Sequence, residues 1–262
     1  MLATRLFDRA VIRLKPTIDT EDVADFLQGL VTNDVKGKLP VWTGLLSAQG
    51  KTMFDFIVWA DGQGELLLDC EAAAADDLVK RLSLYCLRRK IAITLENDLG
   101  VHWQAEEDPK AAENTVNALN AVNAGVAAPD PRLSDLGWRW LAPASSHDEA
   151  ADAKWQAHRL HLGVGEGRAD LGDILWLETN AADLNGVSFE KGCYIGQENT
   201  ARMNWRQKIN RRLVVVPIDR SSEKRRKTAY PDLGLALDHL RTDDITSDLI
   251  PNWMDLSKTP DK

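Results

Sequence analysis

Apolar residues recur along the chain with two periods, and the switches between them mark the elements. Val23, Phe26, Leu27 and Leu30 fall at i, i+3, i+4 and i+7, behind an Asp19/Thr20 cap and ahead of Gly29. That spacing predicts a helix from Thr20 to Gln28 with one face built for a core. Gly44 to Lys51 reads as a strand end and turn, and Met53 to Trp59 as a strand. The turn residues Asp61-Gly62-Gln63-Gly64 send the chain back into Glu65 to Cys70, which makes a hairpin. Glu71 to Lys90, with Leu78, Leu82 and Tyr85 on one side, reads as an amphipathic helix, and Ile91 to Leu95 alternates as a strand. Strand, strand, helix, strand puts helices on one face of a largely antiparallel sheet, an α+β pattern.

A weaker copy follows: a strand at Val101 to Ala105, a helix at Ala111 to Asn123, a strand at Trp138 to Leu141 and a helix from Asp148 to Leu162 ended by Gly163. The loop Asn123 to Asp135, with Gly125, Pro129 and Pro131, reads as a surface connection. Past Arg202 the texture changes to a strand at Arg212 to Ile218 and short apolar pieces at Leu233 to Leu240 and Leu249 to Trp253. The expected organisation is an α+β region over 1–205 made of two intertwined, pseudo-duplicated units, followed by a small β-rich module over 206–262.

Composition narrows the class. The 262 residues are 44% hydrophobic and 27% charged, an ordinary globular balance, with a net charge of −8 that excludes a simple nucleic-acid sponge. No stretch reaches 18 uninterrupted apolar residues and the start lacks an export h-region, so the expectation is a cytoplasmic protein that does not enter a membrane. The three cysteines, Cys70, Cys86 and Cys193, have no metal-type spacing. No disulfide framework and no resident metal site are expected, and any cluster in play belongs to another protein.

One segment differs from the rest. In Lys191-Gly192-Cys193-Tyr194-Ile195-Gly196-Gln197-Glu198, two glycines bracket a thiol and a ring. A Cys beside Lys191 in a Gly-bounded turn can have its thiolate favoured by the cation and by peptide N–H groups. The competing reading is an inert small hydrophobe, the commonest fate of a free Cys.

The whole string resembles the signature K-G-C-Y-x-G-Q-E of the YgfZ family, folate-binding relatives of the glycine-cleavage T-protein. Glu178-Thr179-Asn180 resembles the family's E-x-N element, Val187-Ser188-Phe189 its V-S-F element, and Thr200-Ala201-Arg202 the segment that follows. Leu27 to Val35 resembles its L-Q-G-x-x-T-x-D-V, and Leu46 to Lys51 its L-x-x-x-G-K. The resemblance runs from about residue 20 to 215 and extends to the mitochondrial assembly factors that help mature four-iron clusters.

It implies a T-protein-like (aminomethyltransferase-like) fold around a central folate pocket with a terminal β-barrel-like module. It implies tetrahydrofolate, or a folate derivative, as the cofactor. The role it implies is iron–sulfur cluster assembly or repair in client enzymes, including one that thiolates tRNA, with Cys193 as the functional thiol. Lys191 and Asp55 join Cys193 as catalytic candidates. Tyr194, Gln197, Glu198 and Arg202 join the folate-binding candidates.

Folate offers a flat pterin with a donor–acceptor edge and an acidic tail, so its site needs a stacking ring, a carboxylate and cations. Trp155 matches a tryptophan that the family uses against folate; the competing reading is a core anchor on its helix. Glu178 suits the pterin edge and Asn180 can donate and accept beside it, the alternative for Glu178 being a cap or surface carboxylate. Asp55 sits inside the apolar run Phe54 to Val58, where an unpaired carboxylate is costly. The resemblance puts it at the catalytic aspartate of the T-proteins. Those proteins carry paired glycines and paired aspartates there, whereas this chain has Gly50-Lys51 and Asp55, and Arg9 stands about where the family has a second folate-facing tryptophan.

Between Arg202 and Lys227 lie ten basic residues and two acids, which leaves −16 on the remainder. Such segregation suits an acidic partner, a polyglutamylated folate or RNA; a solvated loop is the competing reading for Arg220 to Lys227. The partners expected are folate and iron–sulfur client enzymes or assembly machinery, with direct RNA binding a lesser reading. The function expected is a folate-binding accessory protein for cluster assembly. The alternative is a tetrahydrofolate-dependent one-carbon transferase using Asp55.

Overall fold

The computed structural model describes residues 3–105, 127–206 and 209–256. The chain forms two compact units interleaved along the sequence. The first takes Met1–Gln28, Val35–Trp42 and Phe56–His158; the second takes Gly29–Asp34, Thr43–Asp55 and Arg159–Lys262.

In the first unit, β2 (Arg9–Pro16) lies between β5 (Leu66–Glu71) and β6 (Ile91–Glu96), antiparallel to both. Beyond β5 runs β4 (Thr52–Ala60), paired from Phe56 to Ala60. The predicted hairpin is the β4–β5 pair. Strand β2 escapes a period-2 reading because Arg9, Arg13 and Lys15 interrupt its apolar residues. Acids around it answer those charges: Arg13 donates to Glu65 and Glu96, each at 2.6 Å. Helix α1 (Val23–Gln28) buries Val23, Phe26 and Leu27 as the spacing predicts.

The long helix expected over Glu71 to Lys90 is shorter. A 3-10 turn at Ala72–Ala74 leads into α2 (Ala75–Ser83), which ends where continuation would carry Leu84 and Leu87 along a solvent-facing course; both are exposed. Arg89 is drawn aside to Glu21 and to the Asp22 carbonyl. A second antiparallel sheet of this unit has the order β1 (Arg5–Leu6), β7 (Leu99–Gln104), β9 (Trp138–Pro143), β8 (Ala128–Pro129). The helix predicted at Ala111 to Asn123 lies outside the described residues.

The second unit holds the end of the β3 (Val41–Leu46) and β4 hairpin, closed by a turn in which Ser47 N–H donates to Lys51 O and Gly50 N–H to Ser47 O. Helix α3 (Asp152–His161) enters it from the first unit; α4 (Gly167–Leu171), a 3-10 turn at Trp176–Thr179 and α5 (Gln197–Arg206) follow. The C-terminal strands β10 (Arg211–Pro217), β11 (Arg226–Tyr230) and β12 (Leu235–Arg241) make a three-stranded antiparallel sheet ordered β10-β12-β11. Val214, Val216, Ala236 and Met254 form its core. Among the described residues these strands do not close into a barrel, which corrects the barrel-like expectation. The apolar piece at Leu249 to Trp253 begins in a 3-10 turn and packs on the sheet instead of extending it.

Candidate functional site

Three of the segments singled out in the sequence meet in the second unit. Thr32, fully buried, donates through Oγ1 to Gly186 O at 2.7 Å and accepts from Gly44 N–H at 2.9 Å, with Thr43 Oγ1 at 3.1 Å. Trp176 Nε1–H donates to the same Gly186 carbonyl at 3.0 Å. Ser188 N–H donates to Thr32 O, and the Asn33 amide to Asn185 O. The loop entering the cysteine motif is thus held by neutral donors from the Thr32 segment and from Trp176, and β3 in turn holds Thr32.

Beyond Cys193 the 46–51 turn takes over. Gly196 (φ +81°) and Gly50 (φ +78°) lie back to back: a Cβ on Gly196 would meet Ser47 O at 2.6 Å and Gly50 Cα at 3.1 Å. Both conformation and space require glycine at Gly196. Asn199 Nδ2 donates to Gln49 O at 2.6 Å and locks the turn to the first turn of α5.

Lys191 points its ammonium at the Val31 and Asn33 carbonyls, at 2.5 and 3.0 Å, and over the Tyr194 ring at 5.1 Å. Burial lowers its pKa to about 8, with Asp34 pulling the other way. Tyr194 is buried, which raises its phenol, with Thr200 opposing. Cys193 is exposed, and a Cβ built on Gly192 would touch nothing within 4 Å. Gln197 opens α5, and Glu198 pairs with Arg202 at 2.6 Å on its exposed face.

The remaining candidates of this unit sit elsewhere on it. Asn180, in the left-handed region at φ 70° that asparagine tolerates, donates to Leu213 O at 2.8 Å. Next to it Arg212 pairs with Asp183 at 2.7 Å. Glu178 Oε2 lies 3.0 Å from His239 Nε2 on β12. Asp55 is buried and its Oδ1 accepts from Gly167 N–H at 3.1 Å.

Trp155 belongs to the first unit, at 4% exposure, within a chain of buried charges. Arg9 Nε donates to Asp69 at 2.6 Å and Arg139 bridges Asp69 and Asp130, both at 2.8 Å. Arg132 closes on Asp130 through Nε and Nη2. The Arg139 guanidinium carbon is 4.3 Å from the Trp155 ring centroid and that of Arg132 is 5.4 Å from it. Burial raises the Asp130 carboxyl, but Arg132 and Arg139 outweigh it and hold the group below the usual range. Arg9, where the resemblance looked for a tryptophan, is an ion-pair partner.

No family model matches the chain. The mitochondrial iron-sulfur cluster assembly factor IBA57 of Homo sapiens is 34% identical over 235 residues, 81% of this chain and 65% of that protein. The Mus musculus protein is 32% identical over 82% of this chain and 66% of its own length. The Neurospora crassa homolog is 31% identical over 80% of this chain and 52% of its own. The chain spans from about half to about two thirds of these relatives. The crystal structure of glycine cleavage system aminomethyltransferase T from Bartonella henselae shares the fold, with a TM-score of 0.60 at 13% identity, over 80% of this chain and 64% of that one. The chain belongs to the family of these IBA57 iron-sulfur cluster assembly factors.

Family membership overturns the cytoplasmic expectation, because these relatives are mitochondrial proteins. Targeting is written in leaders, not in the composition of a folded domain, so the charge and hydropathy of the domain were silent on compartment. Among the described residues no helix is long and apolar enough to cross a membrane.

The basic stretch is less of an open arm than its sequence suggests. Arg202, Arg212 and Arg220 are in ion pairs, Arg226 donates to Ser221, and Lys227 to Gly172 O. Two features of the family fold went unread in the sequence. The Thr32 anchor lay inside a motif already quoted, so its spacing pointed there. Asp69 gave the signal that marked Asp55, a carboxylate in the apolar strand Leu66 to Cys70. Its partners Arg132 and Arg139 carried no local sign.

Proposed function

We propose that this chain serves iron–sulfur cluster assembly or repair, in the mitochondrial setting of its relatives, with Cys193 as the working thiol and folate as the bound cofactor. The observation that carries the reading is the arrangement around Cys193: three motif segments fix the loop by its backbone on both sides and leave the thiol exposed. Having lost its proton, the Cys193 sulfur supplies one ligand to the iron of a cargo cluster. Among the described residues no group of three or more His, Cys, Asp or Glu side chains could hold a metal ion. The other ligands then come from the client or carrier, and tRNA-thiolating enzymes are among the clients proposed. Lys191 acts as a positioning residue that ties the motif to Val31 and Asn33.

The acidic end of folate matches, in this reading, the two cations Arg168 and Lys227 that line one cavity of the second unit. Glu178 serves the pterin edge, Asn180, buried and bonded to Leu213 O, holds the turn that carries Glu178, and Tyr194, Gln197 and Glu198 lend the motif's polar groups. Arg202 serves as a further cation. Bound folate would supply a one-carbon carrier and a rigid filler of the site. Trp155 has its ring already in contact with Arg139 and Arg132, and its proposed part is to hold that cation pair rather than to present an open face.

The test is complementation of a strain lacking its own relative, read as the activity of a [4Fe–4S] dehydratase. Wild type is expected to restore it and Cys193→Ala, checked for wild-type folding, to fail; full restoration by Cys193→Ala overturns the reading. Burial of Asp55 favours a second reading, one-carbon transfer to tetrahydrofolate. It expects a transfer product that Asp55→Asn abolishes, and absence of product with bound folate rejects it.

A further inference from the structure

A polar cavity of about 240 Å³ opens in the second unit between the start of β4, α4 and β11. Thr52, Met53 and Phe54 form one wall, Gly172 and Asp173 another, and Arg168 and Lys227 supply two cations from different elements. The walls are tied together. Asp173 N–H donates to Thr52 O at 3.1 Å, Thr52 N–H to Ile174 O at 2.8 Å, and Thr228 Oγ1 to Ala169 O at 2.9 Å. Lys227 Nζ spends one donor on Gly172 O at 2.8 Å, and an ammonium has three. The Arg168 guanidinium carbon lies 5.3 Å from the Phe54 ring centroid, a cation–π contact that places the group at this wall. Asp173, exposed and at φ 60°, is the single acid on the wall, against two bases.

We infer that this cavity is a subsite for an acidic tail, in which carboxylates of an oligoglutamate chain bind Arg168 and Lys227. The size decides against a whole cofactor, since pockets for complete small molecules start at about 300 Å³. The chemistry decides for carboxylate, because a planar fork and a point cation held on separate rigid elements match two neighbouring carboxylates. Its place supports a tail as well: Asp55 follows Phe54 directly on β4 and bonds Gly167, the residue before Arg168. The inference rests on the folate reading for the identity of the ligand, though not for the existence of the subsite.

The experiment uses the full chain and three probes, tetrahydropteroate, tetrahydropteroyl-triglutamate and free γ-linked triglutamate, titrated by calorimetry and by NMR. Wild type is expected to bind the triglutamylated folate about tenfold more tightly than the pteroate, a gain typical of charge-assisted pairs. Lys227→Met and Arg168→Met each reduce that ratio toward one and leave pteroate affinity as it is. Lys224→Met, whose position does not line the cavity, keeps the ratio.

Equal binding of both folates by wild type overturns the subsite and leaves the folate reading standing. If wild type binds neither folate, the folate reading falls. Triglutamate alone then decides: binding lost in both Met variants supports the subsite, and no binding at millimolar concentration overturns it.

Discussion

The first unit and the motif assembly of the second place charge by opposite rules. In the first, Arg9, Asp69, Arg139, Asp130 and Arg132 are each 5% exposed or less and are linked pair by pair across β2, β5, β9 and the loop before β9. Around Cys193 the anchors are threonines, an indole N–H, amides and glycines, the inward-facing cation, Lys191, bonds the Val31 and Asn33 backbone carbonyls, and the Glu198–Arg202 pair faces solvent. A buried ionic chain tolerates no missing member, since the survivor is a bare charge in a dry place. A backbone-held loop depends on shape, and its weak points are the positions with no room for a side chain.

The sharpest way to break this comparison is Asp69→Asn. It leaves Arg9 and Arg139 short of a carboxylate they share, and the expected loss is about 3–5 kcal/mol of unfolding free energy in a urea titration. A loss below about 1 kcal/mol, within the range of an exposed pair, contradicts the account of the network.

Gly196→Ala probes the other rule and is expected to cost about 1–3 kcal/mol, from a left-handed φ and a 2.6 Å collision with Ser47 O. Gly192→Ala, four residues earlier and open on every side, is the control, with a change within about 0.5 kcal/mol. Reactivity of Cys193 toward a thiol reagent is expected to shift in Gly196→Ala alone. Equal effects of the two substitutions remove the claim that this turn is fixed by shape.

The same contrast explains which parts were readable from the sequence. The hairpin at 52–71, helix α1 and the strands β6, β7, β9 and β10 follow local period and turn residues, and the structure has them. Strand β2 was missed because its three basic residues look exposed until Asp69, Glu65 and Glu96 are brought in from other strands. The overlong helix after Glu71 failed because spacing alone does not show which face meets protein. At the site, Lys191 to Glu198 stood out as a short string, and Gly50 and Thr32 lay inside segments that the resemblance marked, although the anchoring role of Thr32 itself was not legible. The ionic chain joins positions 9, 69, 130, 132 and 139, and no short window contains it.

Titration compares the two regions with one base in each whose pKa burial lowers, His102 buried and Lys191 half-buried. Burial lowers the His102 imidazole from 6.5, Asp148 opposes that, and Arg5 adds to it. The unfolded chain therefore takes up that proton more readily, and stability is lost as pH falls through about 6.5. Lys191, at about 8 when folded against 10.5 as its ordinary value, makes the unfolded chain the better proton binder between those values, so stability rises with pH across that window. His102→Phe is expected to flatten the acid fall and Lys191→Met the alkaline rise, each leaving the other, in urea midpoints from pH 5.5 to 10.5. A Lys191→Met profile that keeps the alkaline rise shows that another group produces it.

The smallest expected effect tests the comparison where it is most exposed. Arg202 and Glu198 meet at 2.6 Å one helical turn apart, with side chains 49% and 84% accessible. By distance alone the pair matches Arg9–Asp69, and a rule that counts short ion pairs would rank the two equally. Solvent separates them: an exposed i,i+4 pair is worth about 0.3–0.5 kcal/mol, because water screens it and two long side chains lose freedom to form it. Arg202→Ala is therefore expected to change unfolding free energy by about 0.5 kcal/mol or less, and by nothing measurable in 1 M salt. A loss above about 1.5 kcal/mol that survives the salt means that the α5 region, too, is held by charge. In that case the stability of the Cys193 loop depends on ion pairs as the first unit's does, and the neutral anchors at Thr32 and Trp176 are secondary to them.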